Sequence, residues 1–586
     1  MNWQDFNLDR KDSIFLVIIA IFTLVTILFR IRTHMSGGIY SPDVGLYLLN
    51  SLSFAQMDYY HIVDASNLYF APLICMLTGL LFKVGINYKL SILIVTAIFC
   101  FIGPFGLYIL LKSRFSRLLS LCGTILYCSF SIVAVNLSGG YIDVPATSMA
   151  IWIIVFMLLA IDKNPKYFLI LTPLFVLGFF TRYTVGFTLP VIVLYYLIRR
   201  DFMSSFESLI YDRKSFKERA VNYLHSSEFK YIVISIIVAA VIFLAFCALI
   251  MLFGGSLTFI GQSGRTLNHE GFSSKTANYV PNTIFYFRHF NYIIFNQQRD
   301  FNLLFSGFTF LLVGAGVLFK LVNIFKNRNV VKIIRENKLS FSDGKYHALL
   351  IVALVLFAGA FFVGFRLLKN HMIANIALFV MFLIFFALIE KYRVNKDIYA
   401  LNLMFVSWFA FYMIFITIYP IKVYRYAIPL LPPFAYFVMW GLENILDVIS
   451  NGFDDGMRFY ERFKEFEVKD KFSNIAKFIP IIFMILLVIS TVAYLAPLET
   501  KETTDDLVEC TDYIIANDPD YHNHSVITPY SFASISKFYL QTNVTPVAEA
   551  DIDSMNDTYL IIDRNITPAN YNLTHRFGNI NLYTHI

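Results

Sequence analysis

Long apolar stretches recur along this chain from Ser13 to Ala496, separated by short polar turns and by longer basic loops. A helix crossing a bilayer needs roughly 17–25 such residues. The pattern predicts thirteen crossings, near 13–30, 90–111, 118–135, 145–161, 167–181, 183–198, 231–253, 301–319, 347–365, 372–390, 398–419, 427–447 and 478–496. The first apolar run is long and no small-residue cleavage pattern follows it, so it reads as a retained span rather than a signal peptide.

Leu68–Lys83 is apolar but short. Were it to cross, every later loop would change sides, and the basic loops around Lys112–Arg117 and after Ile198, Phe319 and Ile389 would face outward. Basic loops stay in the cytoplasm. The segment is therefore expected as an interfacial helix on the outer face. The pair 167–181 and 183–198 is flanked by Lys163, Lys166, Arg199 and Arg200, so the chain is expected to turn back at Thr181-Arg182. The N-terminus is then cytoplasmic and the tail extracytoplasmic. Six N-x-S/T sequons, at Asn136, Asn523, Asn543, Asn556, Asn565 and Asn572, all fall on the outer side of this scheme. Such acceptors are used only there.

After residue 496 the pattern changes. "SVITPY", "YLIIDR" and "INLYTHI" read as strands, while "DDLVECTDYIIA" and "FASISKFYL" have helical spacing. The fold class is an all-α polytopic membrane protein with a small extracytoplasmic α/β C-terminal domain. Its divisions are a membrane domain over 1–496, with a first outer loop and juxtamembrane helices at 31–89, and a tail domain over 497–586.

Composition agrees. The chain is 58% hydrophobic and only 15% charged, against about a quarter charged in soluble domains. The net charge of +7 reads as cytoplasmic Lys and Arg rather than as a nucleic-acid footprint. Five of the six cysteines lie in apolar runs and Cys510 in a polar region, with no disulfide or zinc spacing.

The candidate chemistry gathers at the ends of the outer loops. Asp43 lies in "IYSPDVGLY", Asp143 in "SGGYIDVPATS", Arg182 in "FFTRYTVG" and Arg425 in "YPIKVYRYAIPLLPP". Ionisable groups at this depth are costly and mark functional sites. Plainer roles exist for each. Asp43 and Asp143 suit helix N-termini, and the arginines suit interfacial anchors. His61, His269, Glu270 and His371 read as ordinary loop residues.

Five stretches in the same order give a resemblance. "DVGLYLLNSLSFAQMDYY", "FAPLICMLTGLLFKVG", "SGGYIDVPATSMAIWIIVFMLLA", "LGFFTRYTVGFTLPVIVLYYL" and "RYAIPLLPPFAYFVMWGLE" resemble the GT-C superfamily of polyprenyl-phosphate-sugar-dependent glycosyltransferases. The protein O-mannosyltransferase and aminoarabinose-transferase type is the nearest in pattern. The chain has Val44 where that group often has Glu, and Arg182 where it usually has Lys.

The resemblance implies an integral-membrane inverting transferase that moves a sugar from a polyprenyl (dolichyl) phosphate to a hydroxyl on a protein, lipid or glycan acceptor. Asp43 would be the base, and Asp143 would orient the acceptor, bind a sugar hydroxyl or hold a divalent metal with Asp43. Guanidiniums match phosphate oxygens in bidentate fashion, so Arg182 and then Arg425 suit the phosphate. Tyr47, one helical turn after Asp43, would share its face, and Tyr426 would line the pocket. The alternatives are a flippase for a lipid-linked saccharide, although no inverted repeat is seen, or a subunit of a surface-polymer complex.

Overall fold

In the computed structural model the described residues are 8–35, 37–56, 72–200, 213–252, 285–295, 300–326, 341–367, 377, 380–381, 396–419, 422–451, 468–496, 502–563, 566 and 568–586. His61, His269, Glu270, His371, Asn565, most of the expected span 372–390 and most of the long basic loops lie outside them.

Helices occupy the other predicted crossings. The chain opens with α1 (Arg10–Met35), α2 (Pro42–Gln56), α3 (Pro72–Lys83) and α4 (Tyr88–Lys112). Next come α5 (Arg117–Ser129), α6 (Ser131–Asn136), α7 (Asp143–Leu158), α8 (Phe168–Thr181) and α9 (Thr188–Arg199). Further helices cover Ser227–Leu252, Asp300–Lys326, Phe341–Phe362, Lys396–Ile418, Leu431–Asn451 and Val468–Leu495. Among the described residues six helices are long and apolar enough to cross a bilayer, and several shorter ones pack between them. The protein is a multi-pass membrane protein.

Close crossings need small residues, because lipid supplies no hydrophobic drive to helix pairing. A Cβ on Gly103 of α4 would sit 2.2 Å from Ser148 Oγ of α7, and one on Gly316 would sit 2.7 Å from the Gly441 Cα. Each glycine lets two backbones approach where any side chain would hold them apart.

Ion pairs mark one end of the bundle. Asp12 accepts from Lys112 at 2.7 Å, Tyr108 at 2.8 Å and Arg117 at 3.2 Å. Arg114 grips both oxygens of Glu443, at 3.0 and 2.7 Å. Arg199 joins Asp162 to Asp397. Lys112, Arg114, Arg117 and Arg199, four of the basic residues that set the expected topology, are thus paired with acids from other segments.

At the other end, α2 and α3 form a layer between the bundle and the tail domain. The expected turn at Thr181-Arg182 is present: α8 ends at Thr181, a 3-10 turn covers Tyr183–Phe187, and α9 runs back. The short helix expected from Leu68 starts, within the described residues, at Pro72 and packs on α2.

The tail folds as a five-stranded mixed sheet in the order β2-β1-β3-β5-β4. The strands are β1 (Val526–Thr528), β2 (Val544–Pro546), β3 (Tyr559–Ile562), β4 (Tyr571–Phe577) and β5 (Ile580–His585). β1 runs parallel to β2 and β3, and β5 is antiparallel to both β3 and β4. Helices Glu502–Asn517 and Tyr530–Leu540 appear where the spacing placed them. β1, β3 and β5 match the three expected strands. β2 and β4, absent from the sequence reading, are the two edges. β4 is exposed at five consecutive positions between its buried ends, so it shows none of the alternation that a half-buried strand carries.

Four of the tail sequons, Asn523, Asn543, Asn556 and Asn572, are exposed. Asn136 differs from these four. It is buried, and its amide donates to the Ile132 carbonyl at 2.6 Å.

At the start of the central strands β1 and β3, Asp518 accepts from His524 Nδ1 at 2.6 Å and from the Tyr559 hydroxyl at 2.7 Å. These bonds favour the carboxylate and hold Asp518 below its ordinary 3.8, the Tyr559 bond contributing most. Their contribution to stability is therefore complete at neutral pH and is lost as the pH falls below about 4. Asp518→Asn should flatten the acid-side fall in tail-domain stability, read as amide exchange of residues 518–528 between pH 3 and 7.

Candidate active site

The sequence around Asp43 builds a helix start. Ser41 precedes Pro42 at the first helical position, and the Gly45 amide closes the first turn on the Ser41 carbonyl at 3.0 Å. Asp43 stands in the first turn of α2, where the helix dipole favours a carboxylate. Asp143 opens α7 in the same way. Both acids lie in first helical turns, but neither carboxylate acts as a cap: the N-cap of α7 is Ile142, without a side-chain cap bond, and the two carboxylates are turned to arginines instead.

The loop before α7 brings the two acids together. Gly140 adopts φ +76°, a conformation that glycine takes without strain. A Cβ there would also lie 3.1 Å from Val44, the residue after Asp43. Gly139 passes so close to Tyr40 that its Cβ would lie 2.8 Å from the phenol oxygen. The pair of glycines in "SGGYID" thus lets the second acidic loop lie against the first.

Arg182 leaves α8 as its extended C-cap residue. Arg425 sits in the first turn of a 3-10 helix, Tyr424–Leu430, that leads into Leu431–Asn451. The four charged groups form one alternating row. Arg425 Nη2 pairs with Asp43, Arg425 Nε faces Asp143 Oδ2 at 3.3 Å, and Arg182 Nη1 pairs with Asp143 Oδ1. The 3.3 Å contact is an ion pair without hydrogen-bond alignment: Arg425 Nε and Asp143 Oδ2 are both buried and make no aligned hydrogen bond among the described residues.

Exposure separates the two acids. The Asp143 side chain is 2% exposed and the Asp43 side chain 30%. Asp143 is buried between two arginines, and Asp43 is the more exposed of the two carboxylates.

Tyrosines line the row. The Arg182 guanidinium lies 5.0 Å from the Tyr426 ring centre, and that of Arg425 lies 4.6 Å from Tyr141. Both are within cation–π range. Tyr419 meets Tyr426 edge-on at 5.6 Å. Tyr47 is buried on α2, and its phenol interacts electrostatically with Arg182, Asp143 and Tyr426. All six residues singled out from the sequence therefore share one site.

Tyr141, Tyr419, Tyr40 and Lys422 were not singled out. Tyr40 and Tyr141 stand three and two residues before the two acids, a proximity that could have flagged them. Lys422 donates to the carbonyls of Ile416, Thr417 and Tyr419, closing the end of helix Lys396–Ile418 beside the site. A helix C-terminus favours such a cation, but the sequence gives no sign of which carbonyls it takes.

The metal expectation for Asp143 with Asp43 meets an obstacle. Arg425 lies between the two carboxylates, and no cluster of three His, Cys, Asp or Glu suited to a metal occurs among the described residues. The donor set at this site is filled by guanidiniums and does not fit a bridging cation.

Residues 70–211 match the family model of dolichyl-phosphate-mannose-protein mannosyltransferases, a segment that holds Asp143 and Arg182. No curated protein matches the chain in sequence. Among solved structures, ArnT from Cupriavidus metallidurans in the apo state aligns over 97% of both chains with TM-score 0.51 and 11% identity. The same ArnT bound to undecaprenyl phosphate aligns at TM-score 0.47 and 12% identity, again over 97% of both chains. An apo oligosaccharyltransferase from Archaeoglobus fulgidus aligns over 94% of this chain and 69% of its own, with TM-score 0.49 and 12% identity. The fold is like that of apo ArnT, and the family match covers three of the five ordered stretches, those between residues 70 and 211.

The two acids should respond differently to neutralisation. Asp143→Asn leaves two part-buried guanidiniums facing each other across a buried site, and breaking a buried pair costs about 3–5 kcal/mol. Asp43→Asn removes a partly exposed partner and should cost about 1 kcal/mol. Thermal unfolding in detergent should therefore show a much larger drop for Asp143→Asn.

Proposed function

We propose that this chain is an integral-membrane inverting glycosyltransferase that moves a sugar from a polyprenyl phosphate to an acceptor hydroxyl at the extracytoplasmic rim of its helix bundle. The observation that carries the reading is the row Asp43–Arg425–Asp143–Arg182, with its open end at Asp43. Two cations fixed beside one accessible carboxylate provide what transfer from a phosphate requires. The family match to dolichyl-phosphate-mannose transferases supports a lipid-phosphate donor. The ion-pair-rich opposite end and the exposed tail sequons support the orientation.

The reaction breaks the bond between sugar C1 and a phosphate oxygen and forms a bond from C1 to the acceptor oxygen. A phosphate needs no proton to leave, but its growing charge must be stabilised, and Arg182 and Arg425 do this as bidentate donors. Tyr426 and Tyr141 hold the two guanidinium planes from their faces. The acceptor proton passes to Asp43. A carboxylate is a weak base, but an oxocarbenium-like centre draws the hydroxyl in before its proton must leave, so a weak base suffices.

Arg425 has two competing partners. When the donor arrives, the negative charge of its phosphodiester draws Arg425 from Asp43. Donor binding then releases the base at the moment it is needed. Asp143 stays between the arginines and keeps both guanidiniums aimed and apart.

Purified protein supplied with a panel of polyprenyl-phosphate sugars should consume one of them. Asp43→Asn should lower turnover about 10²–10⁴-fold while the protein stays folded. Arg182→Ala should raise the apparent KM for donor on the order of 10–100-fold, the worth of one hydrogen bond to a charged group. Near-normal turnover in Asp43→Asn would remove the base assignment, and an unchanged donor KM in Arg182→Ala would remove the phosphate role.

A further inference from the structure

The segment that delivers Asp43 is gripped by the tail domain, more than 450 residues away in sequence. Asp505 Oδ1 accepts from the Gly38 amide at 2.6 Å, and the Tyr539 hydroxyl accepts from the Ile39 amide at 3.2 Å. Ser534 Oγ donates to the Pro42 carbonyl at 2.6 Å, at the first residue of α2. Tyr539 is itself held by the Tyr88 hydroxyl at 3.3 Å. Three successive points on residues 38–42 are thus tied to two helices of one domain.

Two glycines make the fit. A Cβ on Gly38 would lie 2.2 Å from the Thr504 carbonyl oxygen, and one on Gly45 would lie 3.1 Å from the Ile535 amide nitrogen and Ser534 Oγ. Neither glycine has a positive φ, so conformational freedom does not explain them. They are small because the tail domain presses against the chain on both sides of Asp43. From the opposite flank, a Cβ on Gly79 of α3 would lie 2.6 Å from the Ser51 carbonyl oxygen of α2. The helix that carries Asp43 is wedged between α3 and helix Tyr530–Leu540.

We propose that Asp505, Ser534 and Tyr539 are positioning residues for Asp43, so that the tail domain sets the register of the reaction's base against the two arginines. This inference rests on the role given to Asp43 above. Asp43 meets Arg425 through a side chain with few torsions, so its place is decided by where α2 begins. A displacement of about 1 Å at a reacting group can cost on the order of 10²-fold in rate. The arginines that would hold the donor phosphate come from other elements, α8 and the 3-10 turn at 424–430, and are not gripped by these three residues. The clamp therefore governs the base and leaves the donor-binding groups alone.

The test uses the full-length protein with two independent readouts, amide exchange of residues 37–45 and steady-state kinetics. In Ser534→Ala/Tyr539→Phe the segment should exchange faster and kcat should fall about tenfold, with affinity for polyprenyl phosphate unchanged. Gly45→Val, which wedges α2 away from the tail domain without deleting a hydrogen bond, should have the same effects. Asp505→Ala should follow them, while Asp505→Asn, which keeps an acceptor for the Gly38 amide, should recover most of kcat. Wild-type exchange and wild-type kcat in the double variant would overturn the proposal. A loss of polyprenyl phosphate affinity in step with kcat would also overturn it, because it would mean general loosening. A wild-type protein that transfers no sugar from any donor would fail the functional reading instead, and the exchange readout would still judge the clamp.

Discussion

A carboxylate buried between two guanidiniums makes a demand on the rest of the fold. Asp143 is out of water, and an unpaired charge there would be costly. Its two partners come from the end of α8 and from the turn before helix Leu431–Asn451, and one of those partners reaches on to Asp43 at the start of α2. Four distant segments must therefore end at the same depth in the bundle. Much of the remaining structure serves that requirement: Gly140 lets two acidic loops touch, α8 stops at Thr181, and Lys422 seals a neighbouring helix end.

The two ends of the bundle use charge differently. At one, acids and bases pair off across helices, as with Asp12 among Lys112, Arg117 and Tyr108. Each of these three groups is aligned on an Asp12 oxygen. At the other, Arg425 divides itself between two acids, and buried Nε and Oδ2 atoms face one another without alignment. A row that is balanced in total charge but loosely bonded atom by atom can turn its guanidiniums toward an incoming anion.

What could be read from the sequence followed from how each element is buried. The spans announce themselves because lipid demands continuous apolar runs, and the central strands β1, β3 and β5 do so because both faces of them are covered. The edges β2 and β4 give no such signal. The six site residues were legible because charge or a phenol at the end of an apolar run is out of place there. Tyr419 and Lys422 escaped notice because aromatic and basic residues at a membrane boundary are ordinary, and only the fold shows which of them turn inward. The partnership between residues 38–45 and the tail helices had no local sign beyond the glycines, since nothing in a linear pattern says what a missing side chain makes room for.

Asn136 carries a consequence for anyone mapping carbohydrate on this protein. Its amide is committed to the Ile132 carbonyl inside α6, beside the second acidic loop. An oligosaccharide there would mean that this helix had never packed, so the site works as a gauge of misassembly. Glycopeptides from the tail report which side of the membrane the chain faces, whereas a glycopeptide containing residue 136 would count the molecules that failed to mature.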